Sequence, residues 1–400
     1  MSLALALLVS IPALGGGESD LVVLKSGKEL RGRIVFEDEA KVVLRQDARD
    51  TPFEREEIER VESRMRNLGD LLDNDAKWRP LDLGELELLC AQAKEMNLAG
   101  EAELYSWRML LGKREHEPAH VALGHKKRGK SWVLPLDGRW VDWDKRLELS
   151  KDWGSAWELT SLHYELRSNL PLPTSLDALL DIERIYRAFY EIFGAELALY
   201  DVCRPMCVHL HADAASYPEI GTEVGFYEPD TDTLRVNASR GLVFGTLAHE
   251  LTHQLLHDTA FRERNDGGCI PPWLDEGLAD YMEAGVQSTS PLVFVAGKPQ
   301  AYQFQAHAGA KDPFDLTRVL AFSSGDYGAS SDRELKYAQS YTLVHFLLHG
   351  LNGRYRAGFF DYLRTVYRGK GSSTDLKGAL DVEWRQLEKD WHAYARGMKL

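Results

Sequence analysis

The run over residues 244–256 constrains this chain more than any other segment. It is apolar and helix-favouring without interruption, and it carries His249, Glu250 and His253 in the pattern His-Glu-x-x-His. At 3.6 residues per turn, positions four apart sit about 40° from each other on one helix face. Two imidazoles so placed can grip one metal ion, with Glu250 beside them facing the same cleft.

A catalytic zinc held by three protein ligands needs one further donor and an open position for water. Pro271-Pro272-Trp273-Leu274-Asp275-Glu276-Gly277-Leu278-Ala279-Asp280-Tyr281 offers Glu276 on a second helix. The prolines suit its start, where amide hydrogens lack partners anyway, and Gly285 its stop. One turn beyond Glu276, Asp280 can accept a hydrogen bond from the outer ring nitrogen of a metal-bound imidazole and fix its tautomer, without being a ligand. The candidate metal set is therefore His249 and His253 with Glu276 on offer as the third donor, and zinc (Zn2+) is the expected ion. Two neutral imidazoles and one carboxylate leave such an ion enough positive charge to acidify water and polarise a carbonyl, with Glu250 as general acid and base.

These residues resemble the gluzincin metallopeptidases. The match is His249-Glu250-x-x-His253 followed by Trp273-x-x-Glu276-Gly277-x-Ala279-x-Tyr281, and within that clan it looks most like the peptidase-MA-like domains of secreted bacterial proteins. The resemblance covers residue 157 to the C-terminus. It implies a thermolysin-like catalytic domain with a mixed sheet and a zinc helix, Glu276 as third ligand, a peptide or protein substrate, and a tyrosine on a later helix that assists the oxyanion. Tyr337-Ala338-Gln339-Ser340 occupies the place of the clan's Tyr-x-x-Gly or Tyr-x-x-Ser helix start, which makes Tyr337 the candidate and Tyr341, on the same face, its reserve. Ser340 stands where aminopeptidases carry glycine, and no Gly-x-Met-Glu-Asn element precedes the zinc helix. Both departures favour an endopeptidase.

Four hundred residues with 44% hydrophobic content allow two or three domains. The formal net charge of −14, with no long basic run, argues against nucleic acid or anionic membrane surfaces as partners. Residues 3–15 are too short to span a bilayer but fit the apolar region of a signal peptide, with Ala13-x-Gly15 as cleavage site, although Met1 is followed by no Lys or Arg. Export to the periplasm, cell surface or medium is expected; a trimmed gene start or a buried N-terminal strand are the other readings. No later segment reaches transmembrane length. Cys90, Cys203, Cys207 and Cys269 would then allow up to two disulfides. Cys203 and Cys207, followed by His209 and His211 on a strand over 206–211, also invite a second metal site. A packed strand is the plainer reading, because local order does not make ligands converge.

The expected fold class is α+β, behind a signal peptide of residues 1–17. Residues 18–64 carry a short-strand rhythm (21–36 as two strands around Ser26-Gly27, then 42–44, 51–53 and 58–61) that looks like a small SH3-like β-barrel. Residues 65–118 hold a helical hairpin, with apolar residues at helical spacing over 81–111. Residues 119–156 form a connector whose tryptophans, Trp132, Trp140, Trp143 and Trp153, could stack on glycans or peptides but more often pack between domains.

Residues 157–400 are the catalytic unit. It is read as a first strand over 158–167, a helix over 177–193, a strand to His211, and a hairpin of 225–227 and 233–237 around a turn-rich loop. The hairpin edge could pair with an extended substrate by strand addition, a placement the resemblance implies. Residues 323–331 are read as a mobile substrate lid. His257, His345 and His349 are read as surface or core residues. Two alternatives stay open: a zinc-binding or partner-docking module without turnover, against which the intact Glu250 stands, and a zinc hydrolase acting on a non-peptide bond.

Overall fold

In the computed structural model, which describes residues 19–218, 224–261, 270–328 and 330–398, the chain begins with five short strands: β1 (Asp20–Leu24), β2 (Glu29–Glu37), β3 (Lys41–Gln46), β4 (Arg49–Glu54) and β5 (Ile58–Glu62). The signal-peptide segment and Cys269 lie outside the described residues. Val22, Ile34, Val42, Leu44 and Ile58 point to one side and form a small core of their own. Val35, Phe36 and Val43 point to the other and pack on Tyr200 and Cys203. The strands fall where the turns place them, but the sheet does not close into the expected barrel. Its order is β4-β3-β2-β1-β5, and the outer strands do not pair with each other. Pro52, with no amide hydrogen to donate, suits β4 to an edge. Arg33 ties this sheet to the rest of the molecule through Asp201 at 2.8 Å.

Three consecutive helices replace the expected two-helix hairpin: α1 (Arg64–Trp78), α2 (Leu83–Glu95) and α3 (Ala99–Gly112), followed by the short α4 (Glu117–Ala122). The pattern over 81–111 matches α2 and α3, joined by a turn with Asn97 at φ +57°. Helix α1 carries few apolar residues among many polar ones, so its period is faint in the sequence, although Leu68, Leu71 and Leu72 are all buried; its anchor is the buried Asp75, which accepts from Arg184 at 2.6 Å and Arg108 at 2.9 Å. The connector is itself folded, as the antiparallel sheet β6 (Lys126–Arg128), β7 (Ser131–Leu136), β8 (Arg139–Asp142) and helix α5 (Trp143–Leu149). Its tryptophans pack: Trp143 meets Trp107 of α3 at a centroid distance of 6.1 Å, Trp132 stacks on His120 at 4.4 Å and Trp153 on His211 at 3.9 Å.

The strand expected over 158–167 is two antiparallel strands, β9 (Trp157–Thr160) and β10 (Tyr164–Ser168). The turn between them is held by remote carboxylates, Glu101 accepting from the Leu162 amide at 2.8 Å and Glu183 from the His163 amide at 2.9 Å. Helix α6 (Leu172–Phe189) starts earlier than expected, after Pro171, and continues as a π-helical turn (Tyr190–Gly194) into α7 (Ala195–Leu197). Strands β11 (Met206–His211), β12 (Gly225–Glu228) and β13 (Thr233–Asn237) complete a mixed sheet in the order β12-β13-β11-β10-β9, parallel in its middle and antiparallel at both ends.

Helix α8 (Phe244–Phe261) lies along β12 and β13 beside α6. Helix α9 (Pro272–Gly285) crosses α8 and leads into the pair β14 (Val286–Gln287) and β15 (Val293–Phe294). The remaining helices are α10 (Ala301–Gly309), α11 (Leu316–Leu320), α12 (Arg333–Gly353), α13 (Arg356–Tyr367), α14 (Ser373–Leu380) and α15 (Trp384–Gly397). One contiguous apolar core runs from Leu68 of α1 to Ala395 of α15, so the helical layer and the C-terminal unit share an interior. Cys90, Cys203 and Cys207 are free thiols, which rules out the two disulfides allowed by the sequence. Among the described residues no helix is long and apolar enough to cross a membrane.

Candidate metal centre and active-site cleft

Helix α8 buries Leu247, Ala248, Leu251 and Leu255 completely, which turns His249, Glu250 and His253 toward a cleft of about 540 Å³. Across it stands α9, fixed by Trp273, which is buried and stacked on Tyr362. Gly277 allows α9 to approach α12: a Cβ there would lie 2.7 Å from the Ser340 carbonyl oxygen.

Helix α9 sets the direction of both imidazoles. His253 Nδ1 lies 3.0 Å from Asp275 Oδ1, and His249 Nδ1 lies 3.0 Å from Asp280 Oδ1 and 3.4 Å from Glu283 Oε2. With the Nδ1 atoms facing carboxylates, the Nε2 atoms face Glu276 Oε2, at 3.4 Å from His249 and 3.8 Å from His253. These three atoms lie within 4.8 Å of one another, and Glu276 Oε2 is buried with no hydrogen-bond partner among the described residues. Bonds of about 2.0–2.1 Å to a tetrahedral zinc would separate two ligand atoms by about 3.3 Å, so the set fits that ion.

The electrostatics agree. Burial disfavours a charged His253, but Asp275 and Glu276 outweigh it and raise its pKa to about 9; the metal-free site holds protons that a cation would displace. Burial also pushes Asp280 up to about 6, against the pull of His249.

Strand β12 is the edge strand of the central sheet and lines the cleft beside Glu250. It comes so near that a Cβ on Gly225 would meet Glu250 Cγ at 2.9 Å. Tyr337 at the start of α12 also lines the cleft, its ring centroid 6.4 Å from that of His249 and its hydroxyl interacting with Glu276 and Arg333. Burial and the neighbouring Glu276 push its pKa up to about 12, so it keeps its proton.

Three expectations near the site need correction or closure. Tyr341 is no reserve donor: it is fully buried, and its hydroxyl accepts from the Gln300 amide at 2.9 Å and donates to the Lys298 carbonyl at 3.3 Å. Residues 323–328 are not an open lid but a 3-10 turn capped by Ser323 and Asp326, with Tyr327 buried 2.6 Å from Ser340 Oγ; Ala329 lies outside the described residues. Cys203, Cys207, His209 and His211 do not converge. Cys203 Sγ accepts from Arg45 at 2.8 Å, His209 Nδ1 accepts from Arg235 at 2.7 Å, and His211 stacks on Trp153. Among the described residues, the convergent ligand groups all include His249.

His257 meets Tyr227, His345 meets Gly297 and Tyr394, and His349 meets Tyr281, each away from the metal atoms. Sequence reasoning missed Asp275, Glu283 and Gln303. Glu283 follows Glu276 and Asp280 at helical spacing and was findable. Gln303, whose Nε2 donates to Asp280 Oδ2 at 2.8 Å from the distant α10, left no local signal.

Residues 224–397 match the family model Peptidase_MA_2, of the peptidase MA superfamily. A comparison with curated proteins found no match. The family match supports a peptidase-MA-like domain over the residues that build the cleft, and with it a peptide or protein substrate.

Proposed function

We propose that this chain is an exported, zinc-dependent endopeptidase of the gluzincin type, with a thermolysin-like catalytic unit over 157–400 and accessory units over 18–64, 65–118 and 119–156. His249, His253 and Glu276 hold the metal, Asp275 and Asp280 orient the imidazoles, Glu250 is the base and Tyr337 the oxyanion donor. The observation that carries this reading is the convergence of the two Nε2 atoms and Glu276 Oε2 beside Glu250.

A zinc ion bound there supplies a Lewis acid that acidifies water and polarises the scissile carbonyl. Glu250 takes a proton from the attacking water and delivers it to the leaving amine, a role usually worth about 10²–10⁴-fold. Tyr337, protonated at neutral pH, donates to the oxyanion that develops. The outer edge of β12, unpaired among the described residues, aligns an extended substrate by strand addition.

The test is elemental analysis beside cleavage of casein and a peptide library, with and without chelator. Wild type should carry one zinc, Glu250→Gln should keep it and lose turnover, and His253→Ala and Glu276→Ala should lose both. Equal turnover by wild type and Glu250→Gln would refute the mechanism, and zinc retained in Glu276→Ala would refute the ligand set.

A further inference from the structure

Arg146 on α5 is 7% exposed, yet among the described residues it forms no ion pair with a carboxylate. In a chain with 62 acidic and 48 basic residues this is an exception. Arg64, Arg108 and Arg184, buried to similar depth, face Asp20, Asp75 and again Asp75 at 3.4, 2.9 and 2.6 Å. Arg146 instead donates to the carbonyls of Ser155 (2.8 Å) and Ala156 (3.2 Å) and lies 3.8 Å from the ring centroid of Trp157. Carbonyl dipoles and a ring face offset only part of the cost of burying a charge. Burial accordingly lowers its pKa to about 10, with Asp137 and Glu158 opposing.

Arg146 lines a cavity of about 300 Å³ that shares no residue with the metal cleft. Its other walls include Trp107, Trp157, Leu134 and His125, together with the exposed carboxylates Asp137 and Glu158. The histidine has a definite tautomer. His120 Nε2 donates to the Arg114 carbonyl at 2.7 Å, so His120 Nδ1 accepts from His125 Nδ1 at 2.7 Å. That leaves His125 Nε2 as an acceptor with no partner among the described residues. Burial, then the nearby His120, hold the pKa of His125 down to about 4, so the ring is neutral.

We propose that this cavity binds a small organic carboxylate with an apolar or aromatic body, the carboxylate on Arg146 and the body against Trp107 and Trp157. The ligand completes the ion pair that the other buried arginines find within the chain. Two sources share this chemistry: a free organic acid, and the C-terminus of a peptide ending in an apolar residue.

Calorimetric titration of the full-length Glu250→Gln protein, with and without chelator, tests the idea. The probes are 3-phenylpropionate, 3-phenylpropanamide, Gly-Gly-Phe and its C-terminal amide. The expected result is saturable 1:1 binding of at least one carboxylate, at least tenfold tighter than its amide, unchanged by chelator. Binding should fall at least tenfold in Arg146→Gln and in Leu123→Trp, which plugs the cavity from a half-buried wall. If Arg146→Gln does not fold, Leu123→Trp decides. Preference for Gly-Gly-Phe identifies a peptide end, and preference for 3-phenylpropionate a free acid. No saturable binding, equal binding of acid and amide, loss with chelator, or full binding by Leu123→Trp overturns the proposal.

Discussion

Replacing Asp280 with Asn should loosen the metal without removing any ligand. Asp280 is 3% exposed; its Oδ1 faces His249 Nδ1 at 3.0 Å and its Oδ2 accepts from Gln303 Nε2 at 2.8 Å. The carboxylate thus serves two donors, and Asn has a single acceptor oxygen. If that oxygen stays with His249, the new amide group opposes the amide of Gln303, which must turn over and offer Oε1, an atom now unpartnered. If the amide faces His249 instead, the ring is driven to the tautomer that carries its proton on Nε2, where the metal should bind. Either way a charge-assisted bond is lost. Partners of this kind are worth about 10–100-fold in metal affinity, or about 1.4–2.7 kcal/mol. Competition with a chromophoric chelator measures the zinc Kd directly. Glu283→Gln is the control, since Glu283 Oε2 lies farther from the same nitrogen, at 3.4 Å, and is 25% exposed; it should change Kd less than threefold. A zinc affinity for Asp280→Asn within threefold of wild type, or a larger loss in Glu283→Gln, would refute the assignment of Asp280 as the group that orients His249.

Gly277→Ala should destabilise the fold by about 1–3 kcal/mol in chemical denaturation, because the added carbon meets Ser340 O and Val344 Cγ2, each at 2.7 Å. An unchanged midpoint would mean that α9 and α12 separate freely. Gly225→Ala places a carbon 2.9 Å from Glu250 Cγ and should lower turnover by up to roughly 10²-fold at unchanged zinc content; full activity would show that Glu250 need not sit against β12. The third concerns His163, which is disfavoured as a cation by burial but raised to about 9 by Glu183 and Asp201. Its folded pKa exceeds the unfolded value of about 6.5, so its contribution is complete below that pH and is lost as pH rises through about 9. Glu101, raised to about 7 by burial and Glu183, adds a loss of the same sign at lower pH. Denaturation midpoints of the metal-free chain should therefore fall from pH 6.5 to 9.5, and less steeply in His163→Gln; equal slopes would show that His163 is neutral when folded.

How much of this molecule could be read from residue order depends on how far apart the interacting groups lie in the chain. His249, Glu250 and His253 lie within about one turn, and Glu276, Asp280 and Glu283 repeat at helical spacing, so the helical period alone brings them to common faces. Tyr337 and Tyr341 show where that rule stops. Their spacing puts both on one face, but only contacts between α12 and the chain around residues 298–300 decide that Tyr341 is spent on backbone groups while Tyr337 reaches the cleft. The misread elements fail for the same reason. The break between β9 and β10 is held by Glu101 and Glu183, and α1 is anchored by arginines 33 and 109 positions from Asp75. None of these partners leaves a periodic trace near the segment it shapes. The chemistry of the cleft is thus written largely at short range, while its walls and the groups behind them, from Gly225 to Gln303, depend on packing between distant elements. Substitutions in those distant elements should change how well the centre works without changing which groups compose it, and Gln303 on α10, joined to the metal residues through Asp280, is where that separation can be tested most directly.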